Sequence, residues 1–113
     1  MLVTDGTPDL LEEFYGERPR ESMNTVVVMD EGKPVGVAGF SLTNGMMIIF
    51  TDMSDEFKQS KGYKRTVVIA ARKLMARLPD MPVYAEAKAG VEGSEDLLKH
   101  YGFKHMRGDI WQV

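Results

Sequence analysis

A chain of 113 residues, 43% hydrophobic and 27% charged, has the size and balance of one globular domain that buries roughly two-thirds of its unfolded surface. Its net charge of −3 argues against a general nucleic-acid binder, which is usually basic overall, and the absence of cysteine excludes a disulfide framework, a thiolate metal site and a cysteine nucleophile. No apolar run approaches membrane-spanning length and the acidic start MLVTDGTPDLLEE lacks an apolar signal core, so the expectation is a single intracellular domain over 1–113, without repeat or linker.

In chain order, TPDLLEEFYG predicts a short helix. Thr7 suits the cap, Pro8 the first helical position and Gly16 the end. ERPRESMN is a polar connection. NTVVVMD, PVGVAGFSL and GMMIIFTDM predict three strands, joined by the turns DEGKP and TNG into an antiparallel meander. Gly36 and Gly39 in the second strand mark a bulge or close packing rather than a phosphate loop. SDEFKQSKG is expected as a loop. A helix over 63–78 follows, with Val67, Ala70, Ala71, Leu74 and Leu78 on one apolar stripe. Lys73 and Arg77 near its end are expected to face solvent. LPDMP breaks the helix, and PVYAEAKA alternates as a fourth strand. GSEDLLKHYG reads as a short helix capped by Ser94 and closed by Gly102. FKHM and DIWQV, joined through Arg107 and Gly108, make a closing hairpin. A strand leading through a long helix to another strand is normally a parallel crossover, so the fold class is α/β, a mixed sheet with one such pair.

The stretch KQSKGYKRTVVIAARKLMARL, residues 58–78, carries an electrostatic conflict. Lys58, Lys61, Lys64 and Arg65 crowd the beginning of the helix, where the macrodipole makes each cation unfavourable by about 0.3–1 kcal/mol. Seven of the fourteen Lys and Arg lie between 58 and 77, and no Asp or Glu does. Either these side chains project into water, with Gly62 merely easing a turn, or an anion sits among them on the unpaired N–H groups of the helix start.

Within that stretch Gln59-Ser60-Lys61-Gly62-Tyr63-Lys64 fits Gln-x-x-Gly-x-Lys, and it resembles the acetyl-coenzyme A loop of the GNAT superfamily of N-acetyltransferases, usually Arg/Gln-x-x-Gly-x-Gly/Ala. Gln59 and Gly62 match, and Lys64 departs from the small final residue. LLKHYGF adds a second similarity, since these enzymes commonly close with a short helix, Gly-Phe and a hairpin. The likeness covers 25–113 with a shortened N-terminal region, and it looks closest to small, divergent phage-encoded members. It implies a mostly antiparallel GNAT-like sheet, with acetyl-coenzyme A as cosubstrate. Gln59, Ser60, Lys61, Gly62, Tyr63, Lys64 and Arg65 would lie at the pyrophosphate, and Thr51 and Met53 would flank the acetyl carbonyl.

The resemblance also implies a base near the end of the third strand. Asp52 is the first candidate and Glu86 on the neighbouring strand the second; each is otherwise an ordinary surface or turn carboxylate. The family's usual thiolate proton donor, a Tyr four residues before the Gly of Gly-Phe, is Leu98 here. Tyr101 reads first as a core ring and second as a displaced acid. His100 and His105 lack a metal-ligand constellation, so no metal is expected. The nine Met read as core filler and adaptable surface, and Trp111 either packs on the sheet or mediates association. The implied function is acetyl transfer to an amine, on a small molecule or a protein, in the cytoplasm (a host's, if phage-encoded). No nucleic-acid or membrane partner is expected. The alternative is a non-catalytic binding or structural phage protein on the same fold.

Overall fold

The computed structural model describes residues 1–18, 24–86, 98–107 and 110–112. Among them, β1 (Leu2–Asp5), α1 (Pro8–Tyr15), β2 (Asn24–Asp30), β3 (Lys33–Thr43), β4 (Met46–Met53), α2 (Asp55–Lys58), α3 (Tyr63–Met75), β5 (Val83–Glu86), β6 (Lys104–Arg107) and β7 (Ile110–Gln112) follow in order. The strands form one sheet, β1-β2-β3-β4-β5-β7-β6. All neighbours are antiparallel except β4 and β5, which are parallel across α2 and α3. The expected mixed sheet with one parallel crossover is what the chain builds.

Side chains alternate across the sheet, and each face has its own helix. On one face Leu11 of α1 packs with Val27 and Val37, joined by Leu10, Phe14 and Phe50. On the other, Val26, Val28, Ala38 and Phe40 meet Phe57 of α2 and Ala70 and Leu74 of α3. Val83, Ala85, Phe103 and Trp111 extend that second core, and Leu98 and Tyr101 pack against it. Phe57 and Leu74 are almost wholly buried, each worth about 1.5–3 kcal/mol by transfer from water. Trp111 thus packs on the sheet, which settles the choice left open by sequence. Gly36 and Gly39 serve close packing. A Cβ on Gly36 would stand 2.5 Å from Met53 Sδ, and one on Gly39 2.7 Å from the Asn24 carbonyl oxygen. The register shift of the β2–β3 pair falls beside Gly36, where Val28 pairs with Gly36 and Met29 with Pro34.

Several expectations are corrected. Leu2–Asp5 is an edge strand, where the sequence showed only an acidic start; four residues are too few for alternation to register. The stretch 55–58 is a helical turn, not loop: the Ser54 hydroxyl accepts from Phe57 N–H at 3.2 Å, and Asp55 and Glu56 sit in its first turn. The long helix ends at Met75, where Arg77 and Leu78 N–H turn back to Leu74 and Met75 carbonyls at 2.9 and 3.2 Å. Leu78 therefore leaves the stripe and is exposed. Arg77 does not point to water. Its guanidinium bonds Asp5, the Asn24 side chain and the Thr25 carbonyl, and Lys73 Nζ lies 3.6 Å from Asp5 Oδ1. Asp5 closes the unforeseen edge strand beneath the last turn of α3, where Arg77 turns to it while Lys73 keeps a partly exposed side chain. The start of the helix expected over 93–102, with its Ser94 cap, lies outside the described residues. Its end is described: Phe103 N–H donates to the Leu98 carbonyl at 3.0 Å, and Gly102 turns the chain at φ +85°.

Candidate functional site

Three helices start differently. Thr7 caps α1 with Asp9 in its first turn, and Ser54 caps α2 with Asp55 and Glu56. The start of α3 has Gly62 at the cap, no side-chain cap bond and no acid in its first turn. Tyr63 N–H reaches the Ser60 carbonyl at 3.3 Å and Thr66 N–H the Gly62 carbonyl at 2.9 Å. The N–H groups of Lys61, Gly62, Lys64 and Arg65 have no acceptor among the described residues. Lys58, Gln59, Lys61, Lys64 and Arg65 are exposed. No carboxylate pairs with any of these four cations among the described residues, whereas Lys73 and Arg77 at the other end of the same region are tied to Asp5.

Gly62 sits at φ −87°, open to any residue. A Cβ there would meet nothing nearer than Thr66 Oγ1 at 3.7 Å. Neither backbone conformation nor internal packing demands glycine at this position. Ser60 and Tyr63 brace the loop from within. Ser60 Oγ donates to the Phe57 carbonyl at 2.8 Å, and the Tyr63 ring stands edge-on to Phe57 at 4.9 Å.

The second part of the site is the end of β4. Its pairing with β5 is confined to Met47 with Val83 and Ile48 with Tyr84. Beyond these, Ala85 and Glu86 pair with Trp111 and Ile110 of β7. Residues 49–53 of β4 therefore have a strand partner only in β3 among the described residues. On the other edge, the backbone N–H and C=O groups of 49–53 have no strand partner among the described residues. Thr51 and Met53 point to the α3 face, where Met53 packs near Phe57, and Asp52 points to the α1 face.

There Asp52 meets a partner absent from the sequence reading. Tyr15 Oη, at the last residue of α1, donates to Asp52 Oδ2 at 2.5 Å. Burial, then the hydrogen bond to Asp52 and that carboxylate's charge, push the Tyr15 hydroxyl above the usual phenol range. Nothing in the sequence links positions 37 apart on different elements, so no local pattern could have found this pair. Glu86 closes β5 beside Ile110, and its side chain lies outside the described residues. Tyr101 packs against the core, edge-on to His100 at 5.0 Å, as its first reading had it. Among the described residues no cluster of His, Asp or Glu has metal-holding geometry, and no helix is long and apolar enough to cross a membrane.

The structure thus brings together Gln59 to Arg65 at one helix start, with Thr51 and Met53 on the same face. It sets Asp52 on the other. No family model and no curated protein matches the sequence. Solved structures do. The aminoglycoside N-acetyltransferase AAC(6')-Iy in complex with CoA is 14% identical with a TM-score of 0.57, covering 95% of this chain and 94% of its own. Escherichia coli ElaA is 14% identical at a TM-score of 0.55, with 100% and 96% covered. A GNAT-family acetyltransferase described for Bordetella pertussis is 16% identical at 0.55, with 80% of this chain and 62% of its own covered. At such identities the likeness speaks for architecture, and the chain has the fold of the GNAT acetyltransferases.

Proposed function

We propose that this protein is an acetyl-coenzyme A-dependent N-acetyltransferase acting on an amine of a small molecule or a protein. The observation that carries the reading is the start of α3. Free N–H groups at Lys61, Gly62, Lys64 and Arg65 stand among four cations that have no anionic partner among the described residues. They do so on a fold shared with an acetyltransferase that binds CoA. Converging N–H groups and unpaired cations suit a pyrophosphate, and the open space at Gly62 lets it approach the backbone. Lys64, larger than the family's small residue, is exposed and so adds charge without filling the loop. The edge of β4 over 49–53, without a strand partner on that side among the described residues, suits the extended arm of the cosubstrate, with Thr51 and Met53 beside its acyl end.

Bound acetyl-coenzyme A supplies the thioester acyl group that ends on the amine nitrogen as its C–S bond gives way to C–N and the thiol departs. The chain's own residues do the rest. Asp52 accepts one proton from the substrate ammonium, leaving the nitrogen lone pair free to attack. The second amine proton is released as the amide forms and passes through water to the departing sulfur. Glu86 stands second as base, and Tyr101, packed in the core, acts through fold stability. Positioning of the two substrates provides most of the acceleration where no strong acid is in place. The resemblance to small phage-encoded members supports a host cytoplasm as the setting.

Release of free thiol from acetyl-coenzyme A, followed across a panel of amines and a peptide library, tests this reading. Asp52→Asn is expected to slow turnover by tenfold or more, on the order of general-base contributions. The loss should be larger at low pH, where the amine most needs a base. Cofactor binding without turnover on any amine would favour a binding protein on the same fold.

A further inference from the structure

The acceptor side of the molecule contains a device that the cosubstrate side does not. Tyr15 ends α1, and its ring packs edge-on against Phe14 at 4.9 Å, so the phenol is fixed to a helix rather than to a loop. Phe14 in turn packs with Leu11, Val27, Val37 and Phe50, and Gly16 closes the helix in the left-handed conformation at φ +81°. The hydroxyl meets Asp52 on one oxygen only, Oδ2 at 2.5 Å. Oδ1 of the same carboxylate has no partner among the described residues, and Asp52 is exposed.

Among the described residues, no cation of the flanking elements pairs with that oxygen. Their charged groups are Asp9, Glu12 and Glu13 on α1, Glu17 and Arg18 just after it, Asp30, Glu31 and Lys33 around the β2–β3 turn, and Asp55, Glu56 and Lys58 on α2. None makes an ion pair with Asp52 among the described residues, and Glu12 is engaged by Arg18 at 3.0 Å.

We infer that Tyr15 is a positioning residue for the acceptor: its hydroxyl fixes Asp52 through Oδ2, so that Oδ1 is presented to a primary ammonium approaching from the α1 face. The inference rests on the acetyltransferase reading for its purpose but concerns a different face and different atoms. A carboxylate free to rotate about its last bond presents either oxygen and follows the solvent. One held by a short charge-assisted bond to a helix-borne phenol has a single free oxygen with a set direction. The upward push on the Tyr15 hydroxyl keeps it a donor through the whole range in which amines are acetylated.

The test needs no knowledge of the natural acceptor. The full chain, labelled with carbon-13 at aspartate carboxyls, is titrated with n-butylammonium at tens of millimolar, and the Asp52 carboxyl signal is assigned by Asp52→Asn. The expected result is a saturable shift of that signal in the unsubstituted protein. In Tyr15→Phe the shift should need several-fold more amine, as loss of the bond that fixes the carboxylate requires. Tyr15→Phe keeps the ring and its packing, so a change in melting temperature is not the readout. Binding of acetyl-coenzyme A, measured on the same samples, should be equal in both. An Asp52 signal that ignores the amine, or that responds alike with and without the Tyr15 hydroxyl, overturns the inference and leaves the cosubstrate site standing. Failure of acetyl-coenzyme A to bind the unsubstituted protein overturns the acetyltransferase reading instead.

Discussion

Glycines 39 and 62 illustrate how one residue type serves opposite ends. A Cβ on Gly39 would press on the Asn24 carbonyl at 2.7 Å and Thr25 Cγ2 at 2.6 Å, neither of which is a flexible tip. Gly39→Ala is expected to destabilise the fold by about 1–3 kcal/mol, the range for overpacking, read as a lower denaturant midpoint. Gly62→Ala meets only ordinary contacts and should cost no more than about 1 kcal/mol, the gap between glycine and alanine at a helix cap. Gly62→Val should weaken acetyl-coenzyme A binding far more than it changes the midpoint. Tyr15 gives a pH signature. Its hydroxyl is raised above the usual value of 10.0, so its stabilising effect is complete below that pH. The effect is lost as pH rises toward the folded value, because there only the unfolded chain releases the proton. Stability measured from neutral to strongly alkaline pH should fall more steeply in the unsubstituted protein than in Tyr15→Phe. Asp52 and Gly62 were legible as candidates because each sits at a patterned place, a strand end and a helix start. Tyr15 was not, because its role exists only once α1 lies on β4.

At the scale of elements, α3 is held at one end and left uncompensated at the other. Asp5 of β1 receives Lys73 and Arg77 at its C-terminal end, while its start has neither a side-chain cap nor an acid. Asp5→Ala is expected to cost up to about 1 kcal/mol, since the carboxylate is largely exposed and such pairs are screened. The same substitution should be milder at high salt. Arg65→Glu runs the other way. In the free protein it should stabilise by about 0.3–1 kcal/mol, because an acid suits the helix start, seen as a higher melting temperature. The apolar stripe of α3 was legible because Val67, Ala70, Ala71 and Leu74 follow the helical period, and its overrun to Leu78 came from extending that period past Met75. α2 had a readable signal: Ser54 before Asp55 and Glu56 is a cap followed by first-turn acids. β1 had none, since a four-residue edge strand is defined by its pairing with β2 rather than by its own pattern.

For the whole molecule, the order of strands matters more than their number. The β4–β5 parallel pair was legible from the long helix between them, which only a crossover accommodates. That β7 rather than β6 joins β5 was not anticipated, although polar KHMR against IWQ marks β6 as the edge strand. The β4–β5 contact is Met47–Val83 and Ile48–Tyr84, so residues 49–53 of β4 have no strand partner on that edge among the described residues. The basic helix start lies on one face of the sheet and the Tyr15–Asp52 pair on the other, so on the proposed function two substrates would approach without competing for the same groups. The central claim is that the start of α3 is an anion site for acetyl-coenzyme A. Calorimetric titration of acetyl-coenzyme A into the unsubstituted protein and into Arg65→Glu tests it most directly. The account predicts saturable one-to-one binding that weakens at higher salt. It predicts affinity lower by about tenfold, or ~1.4 kcal/mol, in Arg65→Glu, although that variant melts higher. Absence of binding, or equal affinity in the two proteins, would contradict it.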